Sequence, residues 1–247
     1  MPKPIVHIAF AVFLTLLTQL GGIAWLVALL FRRRLAAFLI LYSGLSLSAI
    51  WAAPHFGRVA LGCWQEGPLQ MQSWLYCASN RNFVTPELAK ALQETAASVA
   101  TAYPGTVTQV LDANFPFLDG FPLLPHLSHR DGRKADLAFY YSGASGYVPT
   151  ATRSPIGYFA FEHGVSDCPA AWLSLRWDLQ ALQPLWQDLR VDADRTRHLL
   201  RALAADGRIG KVFLEPHLQE RFAVSSGKLR FQGCRAARHD DHIHVQL

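Results

Sequence analysis

Two uninterrupted apolar segments, separated by three consecutive arginines, set the first constraint on this chain. Ile5 to Phe31 runs 27 residues without an Asp, Glu, Lys or Arg, and Leu35 to Ala53 runs 19 more. A spanning helix needs about 20 apolar residues at about 1.5 Å each. Both segments therefore have the length to cross a bilayer, and Arg32-Arg33-Arg34 leaves room only for a tight link. The expectation is a two-helix transmembrane hairpin over residues 1–53. Gly21, Gly22, Ser43, Gly44, Ser46 and Ser48 are small enough to let the helices approach closely, or else face lipid as filler.

The charge distribution gives an orientation. Four of the five net positive charges lie before Pro54 (Lys3 and the three arginines), and the first acidic residue is Glu66. By the positive-inside rule the triple arginine is cytoplasmic, which places everything after Pro54 outside; Lys3 opposes this weakly. A cleavage site after Ala52 or Ala53 would put Ile50 or Trp51 at the position that needs a small residue, so the second segment reads as an uncleaved anchor. The remaining 194 residues carry 19 basic and 18 acidic groups. That near-neutral balance offers no basic face for phosphate backbones and excludes nucleic acid as a partner. The implied partner of the first 53 residues is a lipid bilayer, and no motif there specifies a protein partner.

All four cysteines (Cys63, Cys77, Cys168, Cys234) follow the apolar segments. An even number in an exported domain points to disulfides, and Cys63–Cys77 with Cys168–Cys234 is the expected pairing because the first closes a short loop. Four buried thiols are the alternative. A four-cysteine zinc site is disfavoured by the lack of any CxxC spacing.

Residues 54–79 read as an irregular juxtamembrane stretch whose Trp64, Trp74 and Tyr76 are expected to pack under the domain. Residues 80–247 read as the folded domain. Thr85-Pro86-Glu87 starts a helix that ends near Tyr103, with Leu88, Leu92, Ala96 and Val99 facing a core. Strands are expected at Thr106–Leu111, Leu137–Tyr141, Leu229–Phe231 and Ile243–Leu247, with a short apolar run at Lys211–Leu214. Helices are expected at Leu173–Trp186 and Asp194–Ala205, and a long loop over 142–170. Strands at both ends with helices between them indicate an α+β fold.

The polar chemistry concentrates in two places. One holds His126, His129, Asp131 and Asp136; the other holds His239, Asp240, Asp241, His242 and His244. Imidazole nitrogen and carboxylate oxygen are zinc donors, and a catalytic zinc commonly keeps three protein ligands with a fourth position open. Strand periodicity puts His242 and His244 on one face. Gly132 allows a sharp turn that returns Asp136 towards His129.

Ser128-His129-Arg-Asp-Gly132-Arg-Lys-Ala-Asp136 resembles the S-H-x-x-G-x-x-x-D signature of the penicillin-insensitive murein endopeptidases, a family of the lysostaphin and D-Ala-D-Ala metallopeptidase group. His239-Asp-Asp-His242-Ile-His244 resembles its closing H-x-x-H-x-H motif. The resemblance covers roughly Asn80 to Leu247. It implies a small antiparallel sheet with helices carrying a Zn2+ held by His129, Asp136 and His244. His242 and His239 fall at further active-site histidines, and His126 and Ser128 fall beside the first ligand. It also implies a peptidoglycan peptide as substrate and a bacterial inner-membrane location with the carboxy-terminal domain in the periplasm. Departures are the apolar amino-terminal segments, where the family archetype is soluble, and a last strand expected to be short, since three residues follow His244.

The chemistry expected is hydrolysis of an amide in a cell-wall cross-link or stem peptide. His242 is the principal general base and His239 holds the water or stabilises the oxyanion, with the two roles exchangeable. Asp240 or Asp241 orients an imidazole or else forms a solvated acidic turn. Smaller candidates are Glu162-His163 as cleft or loop residues, Tyr140 or Tyr141 as an oxyanion donor or core residue, and His198 and His217 at the surface. The alternative function is a catalytically silent zinc-stabilised module that binds cell-wall peptide or a partner protein. A membrane scaffold with incidental histidines is a third.

Overall fold

The computed structural model describes residues 3–165, 168, 169, 176, 177 and 179–247. Three apolar helices come first: α1 (Lys3–Thr18), α2 (Gly21–Ala28) and α3 (Arg34–Ala52). A 3-10 turn (Ala53–Phe56) leads into β1 (Val59–Ala60), β2 (Leu69–Met71), α4 (Trp74–Ala78), β3 (Phe83–Val84) and α5 (Pro86–Ala102). There follow β4 (Thr108–Val110), β5 (Lys134–Leu137), β6 (Tyr141–Gly143), β7 (Gly146–Tyr147), β8 (Arg190–Val191) and α6 (Ala193–Ala205). The chain closes with β9 (Lys211–Phe213), α7 (Pro216–Arg221), β10 (Leu229–Arg230) and β11 (Ile243–Gln246).

The expected two-span hairpin is not what forms. The first apolar segment breaks at Gln19, whose backbone is left-handed (φ 66°), and α2 folds back along α1. Gly21 and Gly22 explain the break. A Cβ on Gly22 would lie 1.8 Å from Thr15 Oγ1 and 2.5 Å from the Ala11 carbonyl, so only glycine admits this approach. Gly44 has no such neighbour. At 16 residues α1 is about 24 Å long, short of a hydrocarbon core of about 30 Å. Among the described residues one helix, Arg34–Phe56, is long and apolar enough to cross a membrane.

The fold is mixed α+β with small sheets. The principal sheet has six strands in the order β10-β9-β11-β5-β4-β2. Its inner pairs are antiparallel, whereas β10–β9 and β2–β4 are parallel, so the sheet is mixed rather than purely antiparallel. Ile243, Val245, Ala135, Leu137 and Val212 point to one face and join a core with Leu88, Leu92 and Val99 of α5 and Leu199, Leu200 and Leu203 of α6. The α5 start is as expected: Thr85 Oγ1 accepts from the Leu88 amide and Pro86 occupies the first turn. His244, Asp136 and Phe213 occupy the opposite face.

Several expected boundaries move. Residues 54–79 are not an irregular tether, since β1 pairs with β3 and β2 supplies an edge of the main sheet. Trp64 and Trp74 are exposed at 84% and 59% instead of packed under the domain, while Tyr76 is buried. The expected strand Leu137–Tyr141 is split between β5 and β6, because the Ala138 amide bonds Gln109 and the Tyr140 carbonyl turns to Asp192. Of the expected helix Leu173–Trp186, residues 173–175 and 178 lie outside the described residues; Gln180–Leu185 is a 3-10 helix containing Pro184. Disulfides join Cys63 to Cys77 and Cys168 to Cys234, the expected pairing.

Candidate metal centre

Strand register builds the centre of the site. β11 pairs with β5 so that His244 stands directly opposite Asp136. His244 Nδ1 lies 2.8 Å from Asp136 Oδ1. The third member, His129, comes from the loop before β5. Its Nε2 is 3.2 Å from His244 Nδ1 and 3.3 Å from Asp136 Oδ1. Gly132 makes that return possible. Its φ is 76°, and a Cβ there would meet Arg58 Nε at 3.0 Å and the Thr85 methyl at 3.3 Å.

These three side chains are buried, and their ligating atoms all lie within 4.8 Å of one another, so they can hold a metal ion. The donor set fits one. His129 Nδ1 is 2.7 Å from the Ala113 carbonyl. A carbonyl only accepts, so Nδ1 carries the proton and Nε2 turns a lone pair to the site. Asp136 Oδ2 accepts from the Tyr158 hydroxyl at 2.7 Å, which leaves Oδ1 facing both imidazoles. Two imidazole nitrogens and one carboxylate oxygen thus make a set of three donors for a metal ion.

The electrostatics of the metal-free site follow from this crowding. Burial opposes the Asp136 charge, but His129 and His242 hold its pKa well below the usual carboxylate value. Burial likewise disfavours a charged His129, yet Asp136 raises its pKa. For His244 burial dominates and its pKa falls to about 4.

Around this centre His242 and His239 sit on the segment leading into β11. His242 Nδ1 is 2.5 Å from Asp241 Oδ1, so Nδ1 donates and Nε2 faces inward, 3.7 Å from Asp136 Oδ1. Burial acts against its protonation, but Asp136 and Asp241 push the pKa up to about 9. The His239 ring lies 4.9 Å from that of His242 and 5.7 Å from that of His244. Burial and the charges of those two rings keep it neutral, with a pKa well below the ordinary value. The two acids of the turn therefore differ. Asp241 holds His242 and also accepts from the Phe159 amide at 2.6 Å, whereas Asp240 pairs with Arg238 and its carbonyl takes the Glu162 amide. Neither is a solvated acidic turn, since both are buried.

The other sequence candidates divide. His126 joins the cluster: its Nδ1 is 2.7 Å from Asp112 Oδ2 and 3.6 Å from Asp136 Oδ2. Ser128 is exposed and Asp131 pairs with Lys134. Glu162 is a buried partner of Arg153 and Arg221, and His163 is exposed. Tyr140 bonds Thr108 in the core, and Tyr141 is buried there too. His198 bonds Ser98 at the surface, but the His217 side chain is only 12% exposed and lies 3.9 Å from Asp240.

Four contributors went unrecognised in the sequence. Asp112 carries His126 and is itself gripped by Arg81, with Nε donating to Oδ1 at 2.9 Å. Burial opposes the Asp112 charge, but Arg81 lowers its pKa. Tyr158 orients Asp136. Glu215 accepts from the His239 amide at 3.2 Å and pairs with Arg176. A single acid inside the apolar run Val110-Leu111-Asp112-Ala113 is a readable signal, because a buried carboxylate needs a partner. Tyr158 gave none, being one aromatic among several.

Searches against protein-family models and against curated proteins returned no match, so the reading of the site rests on its own residues and geometry.

Proposed function

We propose that the protein is a membrane-anchored, zinc-dependent peptidase acting on amide bonds of peptidoglycan peptides. The observation that carries this reading is His242: a buried imidazole with one nitrogen fixed by Asp241 and the other turned towards the His129–Asp136–His244 group. A purely structural metal site has no use for such a group. His129, Asp136 and His244 would hold the ion. Zinc held there would supply a Lewis acid that acidifies water and polarises a carbonyl.

The remaining chemistry belongs to the chain. Protonation of His242 would be opposed by a cation on the neighbouring ligands, leaving Nε2 free to take a proton from the attacking water while Asp241 stabilises the imidazolium at Nδ1. The same nitrogen returns that proton to the departing amine. His239, neutral and beside His242, holds the water or the developing oxyanion. Tyr158 keeps Asp136 in place.

The anchor fits this reading in a modified form. With α2 folded back on α1, the amino-terminal end of α1 and Arg32–Arg34 lie towards the same end of the bundle, and both satisfy the positive-inside rule. In this proposal α3 crosses the inner membrane with α1 and α2 packed beside it, and the domain after Pro54 is periplasmic.

The test is digestion of isolated peptidoglycan followed by mass analysis of the released fragments. Native protein is expected to release peptide fragments, and His129→Ala protein none. Full activity in a metal-free preparation ends the proposal.

A further inference from the structure

A cavity of about 340 Å3 lies against the metal centre, within the range of small-molecule sites of about 300–1,000 Å3. Its walls are apolar: Leu17 from the last turn of α1, Leu75 from α4, and Ile156 and Phe159 from the segment that also carries Tyr158. Each of these four is more than a third exposed. Its polar end is formed by Arg81, Asp112 and His126, and Ser79 lines it as well. His126 lies 3.6 Å from the metal-site carboxylate of Asp136, so the cavity and the centre share a wall.

The opposite wall belongs to the anchor. Val6, Phe10, Phe13 and Leu17 are exposed and share one face of α1 at helical spacing, and Leu17 at its end lines the cavity. The end of α1 is fixed to the domain rather than loosely apposed. The Gln19 amide side chain donates to the Phe117 carbonyl at 2.9 Å and accepts from the Phe117 amide at 3.0 Å, and Asn80 donates to the Thr18 carbonyl at 3.2 Å. Tyr42 of α3 donates to the Ala78 carbonyl at 2.5 Å, tying α4 to the bundle as well. The apolar face of α1 is thus continuous with the cavity, and a polar group at the far end of the cavity meets Asp112 and His126, with the His126 ring between it and Asp136.

The geometry points to a membrane-anchored substrate: this cavity takes the hydrocarbon chain of a lipid-linked peptide and delivers that peptide's amide to the metal centre. The inference rests on the peptidase reading for the cleaved bond, while the cavity's preference for a hydrocarbon chain stands on the lining alone. A soluble cell-wall fragment would gain nothing from an apolar wall contributed by the anchor.

The test uses the full-length, zinc-loaded protein in phospholipid nanodiscs. A peptide carrying an N-hexadecanoyl chain with a diazirine in that chain is added and photolysed, and labelled residues are mapped by mass spectrometry. Label is expected at Leu75, Ile156 or Phe159, falling at least fivefold in Leu75→Trp and in Ile156→Trp, each checked for a native near-ultraviolet circular dichroism spectrum. Label confined to the outer faces of the three helices, or cavity labelling unchanged in whichever of the two variants is folded, overturns the inference. Turnover is read separately. The acylated peptide is expected to exceed its unacylated counterpart at least tenfold in kcat/KM, and equal values overturn the inference too. Absent hydrolysis of both peptides with cavity labelling intact counts against the peptidase reading instead.

Discussion

His244 and Asp136 are direct cross-strand partners, and their facing atoms, Nδ1 and Oδ1, are 2.8 Å apart. The candidate metal centre is therefore a property of register. Neighbours along each strand, Ile243 and Val245 on β11 and Ala135 and Leu137 on β5, turn into the core. A one-residue slip would exchange the two faces, sending an imidazole and a carboxylate into the helices and two aliphatic side chains to the metal. The same hydrophobic pattern that packs α5 and α6 onto the sheet thus places the ligands.

Asp136→Asn tests the ligand set with almost no change of shape. The amide keeps the size of the carboxylate but loses its charge, and the charge is what favours both a cation and the protonated imidazoles around it. Zinc affinity is expected to fall by more than about 100-fold, the upper end of what removing an outer partner costs. Competition against a chromophoric chelator measures it. An unchanged affinity would remove Asp136 from the coordination shell.

Tyr158→Phe removes one hydroxyl from Asp136 Oδ2 and leaves the ring in place against His126 and His242. Burial first, and then the charges of Asp136 and Asp112, hold the Tyr158 pKa far above its ordinary value, so the hydroxyl remains a donor throughout the neutral range. Loss of this orienting bond is expected to weaken zinc binding by about 10- to 100-fold. The same chelator competition reads it, with hydrolysis falling in step at limiting zinc.

How far the site was legible depended on whether its parts were local. The two histidine motifs lie within short stretches, but His242 precedes β11 instead of sharing a strand face with His244, and both rings approach Asp136 Oδ1. Gly132 announced its turn. Asp112 and Tyr158 reach the centre only through tertiary packing, from a strand end and a loop, and Arg81 gave no sign of its carboxylate partner 31 residues away. The amino-terminal apolar segments misled for a related reason. A hydropathy count treats Ile5 to Phe31 as one segment, and cannot weigh Gly21 and Gly22 as the contact that lets α2 double back. The mixed character of the sheet was equally hidden, because β2 and β10 are two or three residues long and carry too few positions for a pattern.

Arg81→Met probes the support beneath His126. The Arg81 side chain is 10% exposed and that of Asp112 is 1% exposed, so removing the guanidinium leaves a buried carboxylate that keeps the His126 imidazole but loses its permanent countercharge. Breaking a buried pair by deleting one partner costs about 3–5 kcal/mol. Chemical denaturation of the metal-free protein is expected to show a loss of that size. The paired change Arg81→Met with Asp112→Leu is expected to recover part of it, since no charge is then left unpaired. A single-variant loss below about 1 kcal/mol would mean that Asp112 finds another partner or water.

The His242–Asp241 pair predicts a pH dependence with a defined sign. In the metal-free protein the His242 pKa is raised to about 9, against about 6.5 for an ordinary histidine. A histidine whose pKa is higher in the folded state stabilises that state fully below the unfolded value and loses the contribution as pH rises through the folded one. Asp241→Asn removes one of the three carboxylate charges responsible, Asp136 and Asp240 being the others, and a single opposite charge at this distance shifts a pKa by about 1–3 units. The His242 titration midpoint, followed by NMR of the metal-free protein, is expected to drop by at least about one unit in the variant. The stability gap between native and Asp241→Asn protein is expected to be largest near pH 6, at roughly 2 kcal/mol from the pH-dependent part. It narrows as pH rises through 9, down to a constant residue from the lost Phe159 amide bond. Urea denaturation across that interval measures the gap. A gap that widens with pH would show that Asp241 does not favour the charged imidazole, and the case for His242 as an Asp-supported base would fail with it.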